Sequence, residues 1–181
     1  MTPSASALPV KFTPVSSPEA ADPTLRRDLL RTWVEVTDAG GAVGFVAPSD
    51  AVAIGETLDR ALERVRDGRD ALGVLRRADE AVGMGLLVRE SHALRRHWRK
   101  VLRLMVRPDL QGTGAGGLLL EGLHAMARDL GLEQLALSVR GGTGTERFYE
   151  RFGYTVFGRH PAAIRIAPGD DRDEILMRLV L

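Results

Sequence analysis

The stretch LMVRPDLQGTGAGGLLLEGL, residues 104–123, decides the fold. An apolar run that ends at Pro108 is followed by four glycines within six positions, and then by leucines at helical spacing. Glycine permits sharp turns and lets a ligand lie against the backbone, and a helix start seldom contains so many glycines without a reason. A helix start also presents unpaired N–H groups and the positive end of the helix dipole. We therefore predict a strand, a glycine-rich loop and a helix that together bind an anion such as a pyrophosphate.

Three kinds of site could contain such a loop. A Walker loop requires Lys and then Ser or Thr after the last glycine, but Gly117 is followed by Leu118. The glycines of the dinucleotide fingerprint are present, but residues 138–140, at the end of the next strand, include no acid for the ribose. A third pattern, Q-x-x-G-x-G after a strand and a proline, begins at Gln111. The sequence thus excludes the Walker loop, disfavours NAD and leaves the third pattern.

Hydrophobic periodicity predicts strands and helices on both sides of this unit. Apolar residues at helical spacing predict one helix from Pro23, a second after a cap at Ser49, and a third that ends at Gly131. A short helix is expected at residues 145–152. Alternating or continuous apolar runs predict strands at residues 9–15, a hairpin within 70–91, and strands at 97–106, 132–139, 154–160, 163–167 and 173–181.

The strand at residues 97–106 leads into the glycine-rich loop. In a regular strand, successive side chains point to opposite faces of the sheet. Strict alternation then places Leu102, Leu104 and Val106 on one side, and Val101, Arg103 and Met105 on the other.

The composition bounds the class of protein. The chain has 181 residues, 44% of them hydrophobic, which suits one globular domain over residues 1–181, with a flexible tail at about residues 1–8. The absence of cysteine excludes a disulfide framework and a cysteine nucleophile, and favours the cytoplasm. A net charge of +1 argues against nucleic acid as the main partner, and we find no signal peptide or bilayer-spanning segment.

The residues around the loop resemble the acetyl-CoA signature of GNAT-type N-acetyltransferases. That signature is a strand, then Q/R-x-x-G-x-G/A, then a helix, and LMVRPDLQGTGAG is similar to it. Downstream, TERFYERFGY, residues 145–154, resembles the family's helix-and-turn element, A-x-x-L/F-Y-x-K/R-x-G-F/Y. The likeness covers roughly residues 23–181. It implies an α/β fold with three αβα layers, in which helices cover both faces of a central sheet of about six to seven strands, mixed but mostly antiparallel.

The resemblance also implies a site for acetyl-CoA as cosubstrate, without a metal. The end of the strand would contact pantetheine and the acetyl group, and backbone N–H groups of the loop would hold the pyrophosphate. Tyr149 matches the family's tyrosine. A thiol has a pKa of about 8.5 and a phenol about 10, so we expect Tyr149 to share or give its proton as the thiolate leaves, without a covalent enzyme intermediate. The implied acetyl-CoA contacts are Leu104, Met105, Val106, Gln111, Gly112, Thr113, Gly114, Ala115, Gly116 and Tyr149.

The acceptor side is less determined by the sequence. Trp33 and Ser138 are candidate acceptor contacts, and a packing role is the alternative for Trp33. Several segments resemble the tabtoxin-resistance branch of the family. However, Lys100 stands where relatives in that branch usually have an acid, Ser138 where they often have another, and Gly142 where many family members have Asn. Candidate bases, besides a water chain to solvent, are Glu35, Asp38, Glu90, His92 and His97.

Two functions fit these residues. The first is an acetyl-CoA-dependent N-acetyltransferase that acts on the primary amine of a small molecule, with no nucleic-acid or membrane partner. The second is a non-catalytic acyl-CoA-binding or sensing module of the same fold, which Lys100, Ser138 and Gly142 motivate. A homodimer formed through the C-terminal strands is compatible with both functions.

Overall fold

A seven-stranded sheet forms the centre of the molecule. The computed structural model describes residues 9–181, and the predicted flexible tail at residues 1–8 lies outside them. The strands are β1 Val10–Pro14, β2 Ala71–Arg77, β3 Glu80–Arg89, β4 Trp98–Val106, β5 Gln134–Arg140, β6 Thr155–Ala167 and β7 Asp170–Val180. Their order is β1-β2-β3-β4-β5-β7-β6, and every neighbouring pair is antiparallel except β4 and β5, which are parallel. The predicted mixed, mostly antiparallel sheet is confirmed.

Helices cover both faces of this sheet. They are α1 Pro23–Asp38, α2 Ala51–Arg66, α3 Ala115–Asp129 and α4 Glu146–Glu150, with short 3-10 helices at Glu19–Ala21, Ala93–Arg95 and Pro108–Leu110. On one face, Leu29 of α1 and Ile54 of α2 pack into the same core cluster as Met84 of β3. On the other face, Leu123 of α3 packs into a cluster with Leu135 of β5. The α/β fold with three layers is thus confirmed.

The second helix starts one residue later than the sequence predicts. Asp50 is the N-cap of α2, and its carboxylate accepts hydrogen bonds from the N–H groups of Val52 and Ala53 at 2.9 and 3.1 Å. The prediction of a cap at Ser49 is wrong, because its hydroxyl instead donates to Asp38 at 3.0 Å. That bond joins the end of α1 to the start of α2.

A bulge interrupts β4. The pairing with β3 shifts so that two residues of β4, Arg103 and Leu104, lie opposite Gly85 alone. Arg103 has a φ of 56°, in the left-handed region. One extra residue reverses the alternation of side chains on the strand beyond it.

The predicted alternation along this strand is therefore wrong. Val101, Leu104 and Val106 lie on the α3 side of the sheet, where they pack into its clusters. Met105 packs on the opposite side, against the core beneath α1 and α2. Arg103 also lies on the α1 side, over a tryptophan ring.

The C-terminal residues form one long hairpin. The two predicted strands at residues 154–160 and 163–167 are a single strand, β6, with register shifts around Pro161. An edge strand tolerates proline, because its outer N–H groups need no partner. Within residues 9–181, no helix has the length and apolarity needed to cross a membrane.

Candidate active site

A cleft opens where β4 and β5 separate. The two strands pair at only three positions, from Trp98 to Lys100 of β4. β5 then continues along β7 as far as Arg140. In the described part of the chain, the second half of β4, residues 101–106, has no strand on that edge, and a cavity of about 980 Å³ occupies the gap. This volume is at the upper end of the range for small-molecule sites.

Most of the predicted site residues line this cavity. They are Leu104, Met105, Val106, Gln111, Gly112, Gly116, Ser138 and Tyr149. Thr113, Gly114 and Ala115 belong to the same loop but do not line the cavity. Trp33 is fully buried outside the cavity wall, and its indole N–H donates to the carbonyl oxygen of Val43 at 3.1 Å.

The glycine-rich loop presents a series of backbone N–H groups. Gly112 and Gly114 have φ values of 75° and 91°, and a Cβ at either position would meet no atom within 4 Å. Glycine is therefore required at these two positions by the backbone conformation and not by a lack of space for a side chain. Within residues 9–181, the N–H groups of Gly112 and of residues 114–117 have no hydrogen bond to the protein. Gly117 has a packing role, because a Cβ there would lie 2.9 Å from the ring of Phe152.

The free edge of β4 directs the N–H group of Val106 into the cleft. Neighbouring pairs in an antiparallel ladder alternate between bonded and non-bonded types. The N–H of Arg107 donates to the carbonyl of Val82 at 2.9 Å, so the adjacent pair, Val106 and Gly83, is of the non-bonded type. The N–H and C=O of Val106 consequently point away from β3, toward the gap. The side-chain amide of Gln111 donates to the Val106 carbonyl at 3.5 Å and connects the loop to this edge.

The helix α4 places Tyr149 at the cleft. Its side chain is largely buried, with edge-on contacts to the rings of Phe148 and Tyr154 at centroid distances of 5.0 and 5.5 Å. Within residues 9–181, its hydroxyl has no hydrogen-bond partner. Burial raises the pKa of Tyr149 to about 12. The phenol therefore stays protonated at neutral pH, where it can donate a hydrogen bond but cannot act as a base.

No candidate base lines the cavity. The residues that the sequence suggested, Glu35, Asp38, Glu90, His92 and His97, all lie outside it. Among residues 9–181, Asp50 is the only acidic residue of the lining, and its carboxylate caps α2. Lys100 and Gly142 also lie outside the lining, and the ammonium of Lys100 forms an ion pair with Glu90 at 2.9 Å. The hydrogen bond from Lys100 lowers the pKa of Glu90.

Three arginines that were not among the predicted site residues line the cavity. They are Arg103, Arg140 and Arg165. Arg165 makes a bidentate pair with Asp171 at 2.7 and 2.8 Å, and Arg140 donates to a backbone carbonyl at 3.4 Å. The guanidinium of Arg103 lies over the ring of Trp33, 5.2 Å from its centroid. The sequence contains one indication that Arg103 has a special role, because this charged residue interrupts the apolar run VLRLMV.

Known proteins resemble this chain both in sequence profile and in fold. The profile of the acetyltransferase (GNAT) domain matches residues 44–163. No curated protein matches the chain in sequence.

Solved structures with this fold include several acetyltransferases. One is an acetyltransferase of the GNAT family from Streptococcus pneumoniae, 16% identical, with a TM-score of 0.74 over 96% of this chain and 100% of that one. Ribosomal-protein-alanine N-acetyltransferase from Brucella melitensis is 18% identical, with a TM-score of 0.73 over 94% and 99% of the two chains. The yncA protein of Salmonella typhimurium, assigned as an acetyltransferase and solved with its cofactor acetyl-CoA, is 18% identical, with a TM-score of 0.72 over 97% and 94%. At these identities the likeness shows the fold alone.

Proposed function

Because the chain belongs to the GNAT acetyltransferase family, we propose that it is an acetyl-CoA-dependent N-acetyltransferase whose acceptor is the primary amine of a small molecule. One observation carries the proposal. A helix start with five unbonded backbone N–H groups stands beside a cleft between two separated strands. Such N–H groups suit a pyrophosphate, and such a cleft suits an extended chain that ends in a thioester.

The glycine-rich loop and β4 would hold acetyl-CoA along the cleft. The N–H groups of Gly112 and residues 114–117 would bind the pyrophosphate, whereas the N–H of Thr113 already donates to the carbonyl of Leu110. The free edge of β4 from Leu104 to Val106 would lie along pantetheine and the acetyl group. These residues fit the group, because the two positive-φ glycines leave the space above the loop empty of side chains.

Two groups of the protein would stabilise charge during the reaction. When bound, acetyl-CoA supplies a thioester whose carbonyl carbon forms a bond to the amine nitrogen while its bond to sulfur breaks. The N–H of Val106 would donate to the oxygen that becomes negative, and one such donor is worth about 3 kcal/mol. Tyr149 would donate to the sulfur as the thiolate leaves.

The raised pKa of Tyr149 limits what this residue can do. Complete proton transfer from a phenol with a pKa of about 12 to a thiolate of pKa about 8.5 is unfavourable by roughly 5 kcal/mol. Tyr149 would therefore share its proton through a hydrogen bond, and the proton that the thiol finally keeps would come from the amine. An alkylamine with a pKa of about 10.4 must first lose a proton. Because Asp50 is engaged as a cap, water in the cleft would accept it.

The acceptor would enter from the α1 side of the sheet. Ser138, which is exposed on β5 and lines the cavity, would contact it directly. Trp33 would act indirectly, since its ring supports the guanidinium of Arg103, which does line the cavity.

The test is release of free coenzyme A from acetyl-CoA, measured with a thiol reagent across a panel of primary amines. Turnover that depends on both acetyl-CoA and an amine, with formation of the N-acetyl product by mass spectrometry, is the expected result. If acetyl-CoA binds in a calorimetric titration but no amine is turned over, this result would contradict the proposed N-acetyltransferase function. That outcome would instead favour the non-catalytic acyl-CoA-binding module, for which the engaged carboxylate of Asp50 is the supporting observation.

A further inference from the structure

The acceptor end of the cleft contains a cation with unused hydrogen-bond donors. Arg103 lines the cavity and is half-buried. Within residues 9–181, its guanidinium makes no hydrogen bond and no ion pair, although this group carries five N–H donors. Burial lowers the pKa of Arg103 below its usual value. A partly desolvated cation without an anionic partner is unfavourable, so an anion on a ligand would stabilise it.

Two contacts hold the guanidinium on the α1 side of the sheet. It lies over the ring of Trp33 at 5.2 Å, in a cation–π arrangement. It also packs against Gly44, where a Cβ would lie 2.0 Å from a terminal nitrogen of the guanidinium. Trp33 belongs to α1, and Gly44 to the segment between α1 and α2, whereas the glycine-rich loop leads into α3 on the opposite face. Arg103 is thus placed for the acceptor rather than for the pyrophosphate.

The bulge of β4 gives Arg103 this direction. In a regular strand, Arg103 would share the side of Val101, which packs beneath α3. The bulge turns it to the α1 side, at a φ of 56° that is unfavourable for a residue with a Cβ. Strained residues of this kind concentrate at functional sites.

The charges around the cavity favour the same kind of ligand. The charged residues of its lining are Asp50, Arg103, Arg140 and Arg165. Asp50 caps α2 and Arg165 pairs with Asp171, and in the described part of the chain neither Arg103 nor Arg140 forms an ion pair. Two such guanidinium groups attract an anionic ligand and repel a cationic one.

We propose that the acceptor is an amine that also carries a carboxylate or a phosphate, and that Arg103 binds this anionic group. The inference rests on the proposed function, because it names the substrate class of the same cleft. The planar guanidinium matches both carboxylate and phosphate in a bidentate manner. Because Arg103 and Val106 lie on one strand, an acceptor held at Arg103 can present its amine to the thioester beside Val106.

The experiment compares three series of amines of equal chain length: amino acids, aminoalkyl phosphates and plain alkylamines. Wild-type protein should have a kcat/KM at least about tenfold higher for an anionic series than for the alkylamines. Preference for either anionic series supports the inference, and the better series identifies the group. Equal rates for all three series, or preference for the alkylamines, would overturn it.

Variants of Arg103 test whether this residue causes the preference for anionic amines. Arg103→Gln should lower kcat/KM about 10- to 100-fold for the anionic amines and less than about threefold for the alkylamines. The Kd of acetyl-CoA should not change. Arg103→Lys, which keeps the charge but loses the bidentate geometry, should retain part of the preference. Arg60→Gln removes the same charge from the exposed surface of α2 and should leave the preference intact. An equal loss for all amines in Arg103→Gln, or a raised Kd for acetyl-CoA, would overturn the inference.

A second measurement separates this inference from the proposed function. If no amine is turned over, the proposed function fails, and calorimetric titration of the amino acids and aminoalkyl phosphates into protein saturated with coenzyme A then tests Arg103 alone. Binding that Arg103→Gln abolishes would support the anion site. The absence of binding to wild-type protein would overturn it.

Discussion

The two ends of the cleft are built from different parts of the chain. At the proposed coenzyme end, Gly112 and Gly114 adopt left-handed conformations, and the groups proposed to bind the ligand are backbone N–H groups. At the proposed acceptor end, the group that would bind the ligand is the guanidinium of Arg103, which Trp33 and Gly44 hold in place from two other segments. Backbone donors require only a local sequence that permits the conformation. A positioned side chain requires three segments to meet, so the two ends should respond differently to substitution.

The largest effect is expected at the coenzyme end, from Gly114→Val. A β-branched residue at a φ of 91° is strained, and its side chain would occupy the empty space above the loop. Hydrogen bonds to a charged group are worth about 1.5–3 kcal/mol each, so losing more than one should raise the Kd of acetyl-CoA about 100-fold or more. Isothermal titration calorimetry measures this value.

Gly131→Val is the matched control for this variant. Gly131 has a φ of 69° and open space around it, but it follows the end of α3, away from the cleft. It should lower the melting temperature and leave the affinity for acetyl-CoA intact. A folded Gly114→Val protein with wild-type affinity would show that the loop does not hold the coenzyme.

The next largest effect is expected from Tyr149→Phe, which removes one donor and leaves the ring. If the hydroxyl stabilises the leaving sulfur, kcat should fall about 10- to 100-fold while the Kd of acetyl-CoA changes less than about threefold. Steady-state kinetics and calorimetry give the two values. Tyr154→Phe is the control, because the Tyr154 hydroxyl contacts His124 at 3.1 Å. Equal changes of kcat and Kd in Tyr149→Phe would indicate a structural role.

At the acceptor end, Gly44→Ala should act by displacing a side chain. The new Cβ would overlap the guanidinium of Arg103, which must move away from Trp33. We expect the KM of an anionic amine to rise about tenfold, with no change in the affinity for acetyl-CoA. Gly40→Ala is the matched control, because Gly40 has a similar φ of 86° but no atom within 4 Å of a Cβ. The same rise in KM for both variants would attribute the effect to backbone strain rather than to Arg103.

The difference between local sequence patterns and contacts among distant segments also explains what the sequence could and could not predict. The glycine-rich loop, the helices and the individual strands are local patterns that spacing and turn chemistry predict, whereas the arrangement of the sheet is what the GNAT resemblance implies. The bulge at Arg103 was missed because it depends on how β4 pairs with Gly85, about 18 residues earlier in the chain, and alternation alone cannot report an extra residue. The cap at Asp50 was missed because Ser49, an equally good capping residue, is engaged by Asp38. Both errors concern contacts between distant segments.

The smallest effect on turnover is expected for His124, which is buried in α3, the helix that follows the glycine-rich loop. Its Nε2 lies 3.1 Å from the Tyr154 hydroxyl, and burial lowers the pKa of His124 from 6.5 to about 4. The unfolded chain binds this proton at a higher pH than the folded protein does. The contribution of His124 to the free energy of unfolding is therefore complete above about pH 6.5, and it decreases by at most about 3 kcal/mol as the pH drops toward 4. His124→Gln should remove most of this dependence in urea unfolding measured across that range, without changing turnover at neutral pH. His160→Gln, at an exposed position of β6, should retain it. An unchanged pH dependence in His124→Gln would show that the buried imidazole does not set it.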